Sequence, residues 1–328
     1  MAIGIGFAIA FLRLRPLPPA ICPPMPPLRS SPLRIPYQPP LDWGSLHAFL
    51  AARAVPGVER IEPGIYVRTI ATPDGPTILQ VRPAADGRAL ELRLDPPRPG
   101  SRAEVVARVR RMFDLDADPE AVAAALGRDR ILGASLRARP GLRVPGGWDP
   151  FEVLVRAVLG QQISVAGARQ LAGRIAASCG EALPADVCSA GLTRLFPAPS
   201  ALAAADPATL PLPRLRARAL VALAGAVAAG ELALVSRGSL DASLAALRGR
   251  PGIGPWTAQI VAMRALRERD AFPAGDLGVR RALGRPGAPV PEAEALARAL
   301  AWRPWRAYAA QHLWAIDADR KPGLAVSV

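Results

Sequence analysis

The chain changes its hydrophobic rhythm about a third of the way along. In ALELRL at 89–94, Leu90, Leu92 and Leu94 alternate with Glu91 and Arg93, the two-residue period of a sheet with one wet face. IYVRTI at 65–70 and TILQV at 77–81 are further β-like runs, and Asp74-Gly75 and Asp86-Gly87 are turn signals among them. Ahead of them, WGSLHAFLAARAV at 43–55 places Leu46, Phe49, Leu50 and Ala54 on one side of a helix. A small antiparallel sheet with helices is predicted over about 33–110.

From about residue 101 the pattern is helical. RAEVVARVRRMF at 102–113 and PEAVAAALG at 119–127 each read as one helix. Asp149-Pro150-Phe151-Glu152 offers a cap, a proline at the first helical position and a glutamate three after the cap, a capping-box signature. Ser164 can cap VAGARQLAGRIAAS, and Leu215–Ala229 runs as a long apolar helix ended by Gly230. ASLAALR at 242–248 is a shorter helix. No βαβ alternation and no internal repeat is visible, so the class is α+β: a sheet domain, then an all-helical region.

The first residues stand apart. AIGIGFAIAFL at 2–12 is too short for the roughly 20 residues of a bilayer span. Its arginines, Arg13 and Arg15, follow the apolar run, the reverse of a signal peptide. A proline-rich stretch comes next, so residues 1–32 read as an extension without a fold, with Met25 an alternative start. The expected division is 1–32, a mixed α/β domain at 33–112, a helical region at 113–320 and a tail at 321–328. No membrane association is expected, and a cytoplasmic location is.

Charge adds a partner. The 328 residues carry a net charge of +14, and the only lysine among 41 basic residues is Lys321. Such a balance points to nucleic acid, although the arginines are spread along the chain and mark no single face. Three cysteines cannot supply a four-cysteine iron–sulfur site. No His, Cys or carboxylate spacing suggests a metal, and no cofactor is expected.

The most specific segment is RGRPGIGPWTAQIVAMRAL at 249–267. Gly252 and Gly254 permit a tight turn between two helices, and Ile253 can plug between them. Pro255 suits the first position of the next helix. Hairpin and helix-start amides then face outward together and can hold one backbone phosphate. Asp276, 24 residues after Gly252, begins the next helix, LGVRRALG. It is either an ordinary N-cap or a carboxylate held for chemistry. Trp302, Trp305, Tyr308 and Trp314 fall within thirteen residues. Most read as core, and one or more facing a cleft would give a stacking wall for a base. His312 reads as structural or close to the cleft.

Together these pieces resemble the DNA-3-methyladenine glycosylase II family, the AlkA type, within the helix-hairpin-helix DNA glycosylase superfamily. The resemblance runs from about Leu33 to Asp317. Its pieces are YQPPLDWGSLHAFLAARAVPGVE, RMFDLDADP, VPGGWDPFEVLVRAVLGQQISVAGARQLAGRI, LFPAPSALAAADP, PGIGPWTA, FPAGD and WRPWRAYAAQHLW. The alkyl-transfer domain sometimes fused to such enzymes has no counterpart in this sequence.

What the resemblance implies can be placed on residues. The fold would be a TBP-like sheet domain followed by the helical glycosylase region. Asp276 falls on the catalytic aspartate, and Phe49, Trp256 and Trp314 on the aromatic base pocket. Ile260 stands where the family has a pocket tyrosine, and Gln162 where a residue fills the gap left by the extruded base. Gly252, Ile253, Gly254 and Thr257 belong to the phosphate-binding hairpin. Arg250 replaces a common hydrophobic residue there and is a further phosphate ligand. Lyase relatives carry a lysine two residues after the second hairpin glycine, and that position is Trp256. The implied activity is monofunctional release of 3-methyladenine and related bases from duplex DNA, leaving an abasic site; a monomer is the default expectation for an enzyme that must wrap a bent duplex, with no obligate protein partner. The alternatives are a related glycosylase for deaminated purines and a non-catalytic DNA-binding protein.

Overall fold

A computed structural model describes residues 32–320. The readings of residues 1–31, Met25 and Lys321 lie outside the described residues. The first part is a five-stranded sheet with two helices: β1 (Leu33–Pro36), α1 (Trp43–Arg53), β2 (Glu59–Glu62), β3 (Ile65–Ile70), β4 (Thr77–Pro83), β5 (Ala89–Asp95) and α2 (Arg102–Met112). All pairings are antiparallel, in the order β1-β5-β4-β3-β2. The alternation read in ALELRL sets the register: Leu92 faces Val81, which faces Tyr66. Those residues join Leu46 and Leu50 of α1, Val105 and Val109 of α2, Phe113 and Trp148 in one core.

The other face is not simply wet. Val67 and Ile78 are buried under Leu183, Val187, Leu192 and Leu195, which come from far along the chain. Backbone amides of Thr193 and Arg194 both donate to the Gly57 carbonyl, at 2.9 and 3.0 Å. The segment has no helical or strand period, so its role is invisible in the pattern.

The helical part contains α3 (Pro119–Leu126), α4 (Leu132–Ala138), α5 (Pro150–Leu159), α6 (Val165–Cys179), α7 (Pro199–Ala203), α8 (Arg214–Ala228), α9 (Leu240–Arg248), α10 (Pro255–Arg264), α11 (Leu277–Leu283), α12 (Glu292–Ala299) and α13 (Arg306–Asp319). Their apolar faces build a second core around α5, α8, α10 and α13. Among the described residues, no helix is long and apolar enough to cross a membrane. Asp149 and Ser164 cap α5 and α6 through their side chains, as their sequences predict.

Glu152 corrects the capping-box reading. It is buried and points away from the helix start. One carboxylate oxygen accepts from Arg68 of β3 at 2.7 Å, the other from Arg156 at 2.9 Å. Arg156 also reaches Glu59 of β2 at 3.1 Å and the Arg53 carbonyl at 2.6 Å. Glu59 in turn accepts from Tyr66 and from the Val55 amide. Burial alone would raise the Glu152 pKa, but Arg68 and Arg156 hold it below the usual carboxylate range. This network joins sheet and helices through charge rather than oil.

His312 is buried on α13, with its Nδ1 3.0 Å from the Ser135 hydroxyl of α4. Burial first, and Arg139 second, push its pKa down to about 4, with Asp42 opposing. An unfolded histidine titrates near ~6.5. Above that pH both states are neutral and the stability is complete. As pH falls from there to about 4 the unfolded chain takes up a proton the fold refuses, at a limiting cost of about 3 kcal/mol. We expect urea midpoints to fall over this window and to fall less steeply for His312→Asn. Parallel slopes would exclude His312 as the source.

Candidate active site

The hairpin is built around one position where only glycine fits. Gly252 has φ +88°, and a Cβ there would stand 2.9 Å from the Ala219 Cβ of α8. Ile253 is buried in the helical core, which fixes the turn from beneath. Gly254 caps α10 with extended backbone, and Pro255 follows at the first helical position. Among the described residues, the Gly252 and Gly254 amides find no protein acceptor. They sit with the unsatisfied first amides of α10, an arrangement that suits an anion.

Two of the predicted hairpin ligands are otherwise engaged. Arg250 is folded onto Glu231, donating to its carboxylate at 3.2 Å and its carbonyl at 2.8 Å. Thr257 is buried, and its hydroxyl accepts from the Gln161 side chain at 2.9 Å. The same Gln161 nitrogen donates to the Gly252 carbonyl at 2.9 Å. Gln161 therefore ties the α5–α6 turn to the hairpin. Gln162 beside it is exposed and held at φ +59°, a conformation non-glycine residues seldom take. Ile163 and Val165, on the same turn, are also exposed.

Asp276 is the N-cap of α11, and each of its carboxylate oxygens also meets an indole. Its Oδ1 accepts from the Gly278 and Val279 amides at 2.8 and 3.2 Å. The same oxygen accepts from the Trp314 indole at 2.9 Å, and Oδ2 from the Trp256 indole at 2.9 Å. Two elements thus deliver one tryptophan each to one carboxylate. Gly278 makes this possible, because a Cβ there would lie 3.0 Å from the Trp314 ring and 3.1 Å from Asp276 Oδ1. One turn along, Arg281 grips Asp317 through two bonds of 2.7 Å, locking α11 to α13.

Phe49 completes the aromatic set from α1, but its ring is already covered. The Arg53 guanidinium lies 3.9 Å from the ring centroid and that of Arg264 4.5 Å. Arg264 also lies 5.2 Å from the Trp314 ring. Burial pushes the Arg53 pKa down to about 10, Arg156 adds to this, and Asp276 opposes it. Burial, Arg53 and Arg267 likewise disfavour the Arg264 charge, while Asp276 favours it. Ile260, one turn after Trp256, is 8% exposed and packs in the helical core.

The remaining aromatics are structural. The Trp302 indole donates to Asp129 at 2.8 Å, and the Tyr308 hydroxyl to Asp114 at 2.8 Å. Trp305 packs edge-on against Tyr308. Sequence reasoning missed Gln161, Gly278, Arg53 and Arg264. Arg53 and Arg264 were two arginines among forty. Gly278 carried one weak signal, a glycine inside the first turn of a capped helix.

A glycine hairpin between two helices, with outward amides and a helix-capping aspartate bonded to its second helix, defines the helix-hairpin-helix class of DNA-acting folds. Residues 32–149 match the AlkA N-terminal domain, and residues 155–307 the HhH-GPD superfamily base excision DNA repair protein. The chain is 42% identical over 282 residues to the "Probable bifunctional transcriptional activator/DNA repair enzyme AlkA" of Mycobacterium tuberculosis. That match covers 86% of this chain and 56% of the relative, so the chain spans about half its length. It is 39% identical over 284 residues to DNA-3-methyladenine glycosylase 2 of Escherichia coli, covering 85% of this chain and 95% of that protein. A solved 3-methyladenine DNA-glycosylase from Archaeoglobus fulgidus shares the fold, with a TM-score of 0.75 at 24% identity over 87% of this chain and 98% of that one. The chain belongs to the AlkA-type family of helix-hairpin-helix DNA glycosylases.

Proposed function

We propose that this protein is a monofunctional DNA glycosylase that hydrolyses the N-glycosidic bond of alkylated bases, 3-methyladenine foremost, in duplex DNA. The observation that carries the reading is Asp276, held between two indole N–H groups close to a hairpin with free amides. The reading places the enzyme in the cytoplasm as a monomer acting on duplex DNA without a protein partner.

A base within a duplex must be extruded before its sugar bond can be attacked, at a cost of a few kcal/mol, less at a damaged site. The hairpin amides of Gly252 and Gly254 hold a backbone phosphate beside the lesion. Gln162, presented outward by its left-handed backbone, fills the gap, with Ile163 beside it. The extruded base stacks against Trp256 and Trp314. An alkylated purine such as 3-methyladenine carries positive charge and departs neutral, so no general acid is needed. The sugar gains positive character as the bond breaks, and the Asp276 carboxylate stabilises it and orients the attacking water. The product is an abasic site. Trp256 occupies the position of the lyase lysine, so no Schiff base forms and no strand is cut.

The test is base release from methylated duplex DNA, with the freed bases separated and identified. The expected result is free 3-methyladenine and an intact, abasic strand. Binding of duplex without release of any base would replace this reading with that of a non-catalytic binder. One observation favours a second reading, activity on uncharged deaminated purines: the guanidinium groups over Phe49.

A further inference from the structure

Within the turn of the hairpin, residues 249–254, the one cation is Arg250, and Glu231 holds it. Free charge stands instead on α8, which runs directly against the turn. A Cβ on Gly252 would meet the Ala219 Cβ at 2.9 Å and the Leu223 side chain at 3.8 Å. Gly252 thus lies between two neighbours: its carbonyl accepts from Gln161 of the α5–α6 turn, and its Cα abuts α8. α8 buries Ala217, Leu220, Leu223 and Ala224 and leaves Arg214, Leu215 and Arg218 exposed. Arg214 and Arg218 stand four positions apart on one face, with Cβ atoms about 6 Å apart. Leu215 beside them is 81% exposed, more than any other large apolar side chain among the described residues.

The fold makes no use of these charges. Among the described residues, neither Arg214, Arg216 nor Arg218 has an ion pair or a side-chain hydrogen bond. Between Asp206 and Asp241 the one acidic residue is Glu231, which Arg250 already holds. Asp206 accepts from the Ala208 amide within its own turn, and Asp241 sits in the first turn of α9. The first turn of α8 has no acid of its own. Arginines there face the positive end of their own helix and one another, an arrangement that local electrostatics disfavours. A polyanion outside the protein supplies the compensation that the fold lacks.

We infer that Arg214 and Arg218 form a second grip on the DNA backbone, extending the hairpin's phosphate site onto α8, with Leu215 laid against the sugars between. This rests on the reading above that the hairpin holds duplex DNA, and it adds a surface to that reading. The two parts of the grip differ in kind. Hairpin amides are fixed by the backbone and suit one phosphate in one place. The two guanidinium groups ride on long, solvated stems and follow phosphates wherever the duplex bends. Such contacts position the protein and carry no sequence information. They act on undamaged and damaged duplex alike, and they hold the enzyme on DNA before any base is extruded. Each phosphate neutralised releases condensed counterions, so the grip is written in the salt dependence of binding.

The experiment is a binding titration at several salt concentrations, on an undamaged duplex and on one holding a tetrahydrofuran abasic analogue. It compares wild type, Arg214→Gln/Arg218→Gln, Arg214→Lys/Arg218→Lys, and the control Arg88→Gln/Arg102→Gln. The control removes the same charge from exposed positions in the sheet part. We expect the slope of log affinity against log salt to flatten by about 1.8 in the α8 glutamine variant, two phosphates' worth. From 50 to 200 mM salt the wild type should then lose about twelvefold more affinity than that variant, equally on both duplexes. The lysine variant keeps both charges and should keep the wild-type slope. The control should change the slope by less than about 0.5. An unchanged slope in the glutamine variant, or an equal change in the control, overturns the inference, leaves the α8 patch to a protein partner or to solvent, and does not touch the glycosylase reading. A wild type that binds neither duplex in a salt-dependent way overturns both.

Discussion

Asp276→Asn is expected to cut base release at least about a hundredfold while leaving duplex binding within a fewfold of wild type. Asparagine keeps the shape and one good acceptor, so the cap on Gly278 and Val279 survives. On the proposed mechanism it loses the charge that would stabilise the developing positive sugar. It also turns an NH₂ toward one of two indole N–H groups that both need acceptors. The measurement is single-turnover release beside a binding titration on the same duplex. Loss of release with binding retained would place Asp276 at the chemistry. Unchanged release would leave it only as a helix cap, a role worth about 1 kcal/mol.

The second large effect is on stability. Glu152→Ala should cost about 3–5 kcal/mol, read from denaturant midpoints, because it strands Arg68 without its closest carboxylate. Glu59, the other carboxylate of the network, stands 3.8 Å from Arg68 and is already shared with Arg156. Replacing both Arg68 and Glu152 with apolar residues of similar volume should cost far less than either truncation, since removing a whole buried pair leaves no orphan charge. Equal losses for the single and paired changes would show that packing, not charge, sets the value. The site should also feel the single change. Arg156 holds the Arg53 carbonyl at the end of α1, and α1 carries Phe49.

Local signals were the legible ones. The hairpin, the caps at Asp149, Ser164 and Asp276, and the strands β3 to β5 all announce themselves over a few residues. β2, ERIE, has no apolar alternation and forms because β3 pairs with it. Glu152 fits a local rule, three residues after a cap, and obeys a distant one, a buried arginine on a strand 84 residues earlier. The tryptophan cluster shows the same limit. Spacing brought four aromatics to attention, and only the fold could say that Trp314 reaches Asp276 while Trp302 turns to Asp129. The guanidinium groups over Phe49 had no sequence signal, because arginine is this chain's near-universal cation.

The segment that covers the back of the sheet constrains the order in which the chain can be made. Translation delivers all five strands by residue 95, yet the residues that shield Val67 and Ile78 begin at Leu183. Arg68 waits for Glu152 over much of the same interval. The nascent sheet is thus a half-finished object, its apolar back uncovered between residues 95 and 183 of synthesis and Arg68 without its closest carboxylate until residue 152. Exposed apolar surface of this kind is what chaperones bind and what aggregates when they do not. The N-terminal part, cut off before Leu183, should be a poor soluble fragment, and the two structural regions are better regarded as one folding unit than as separable modules.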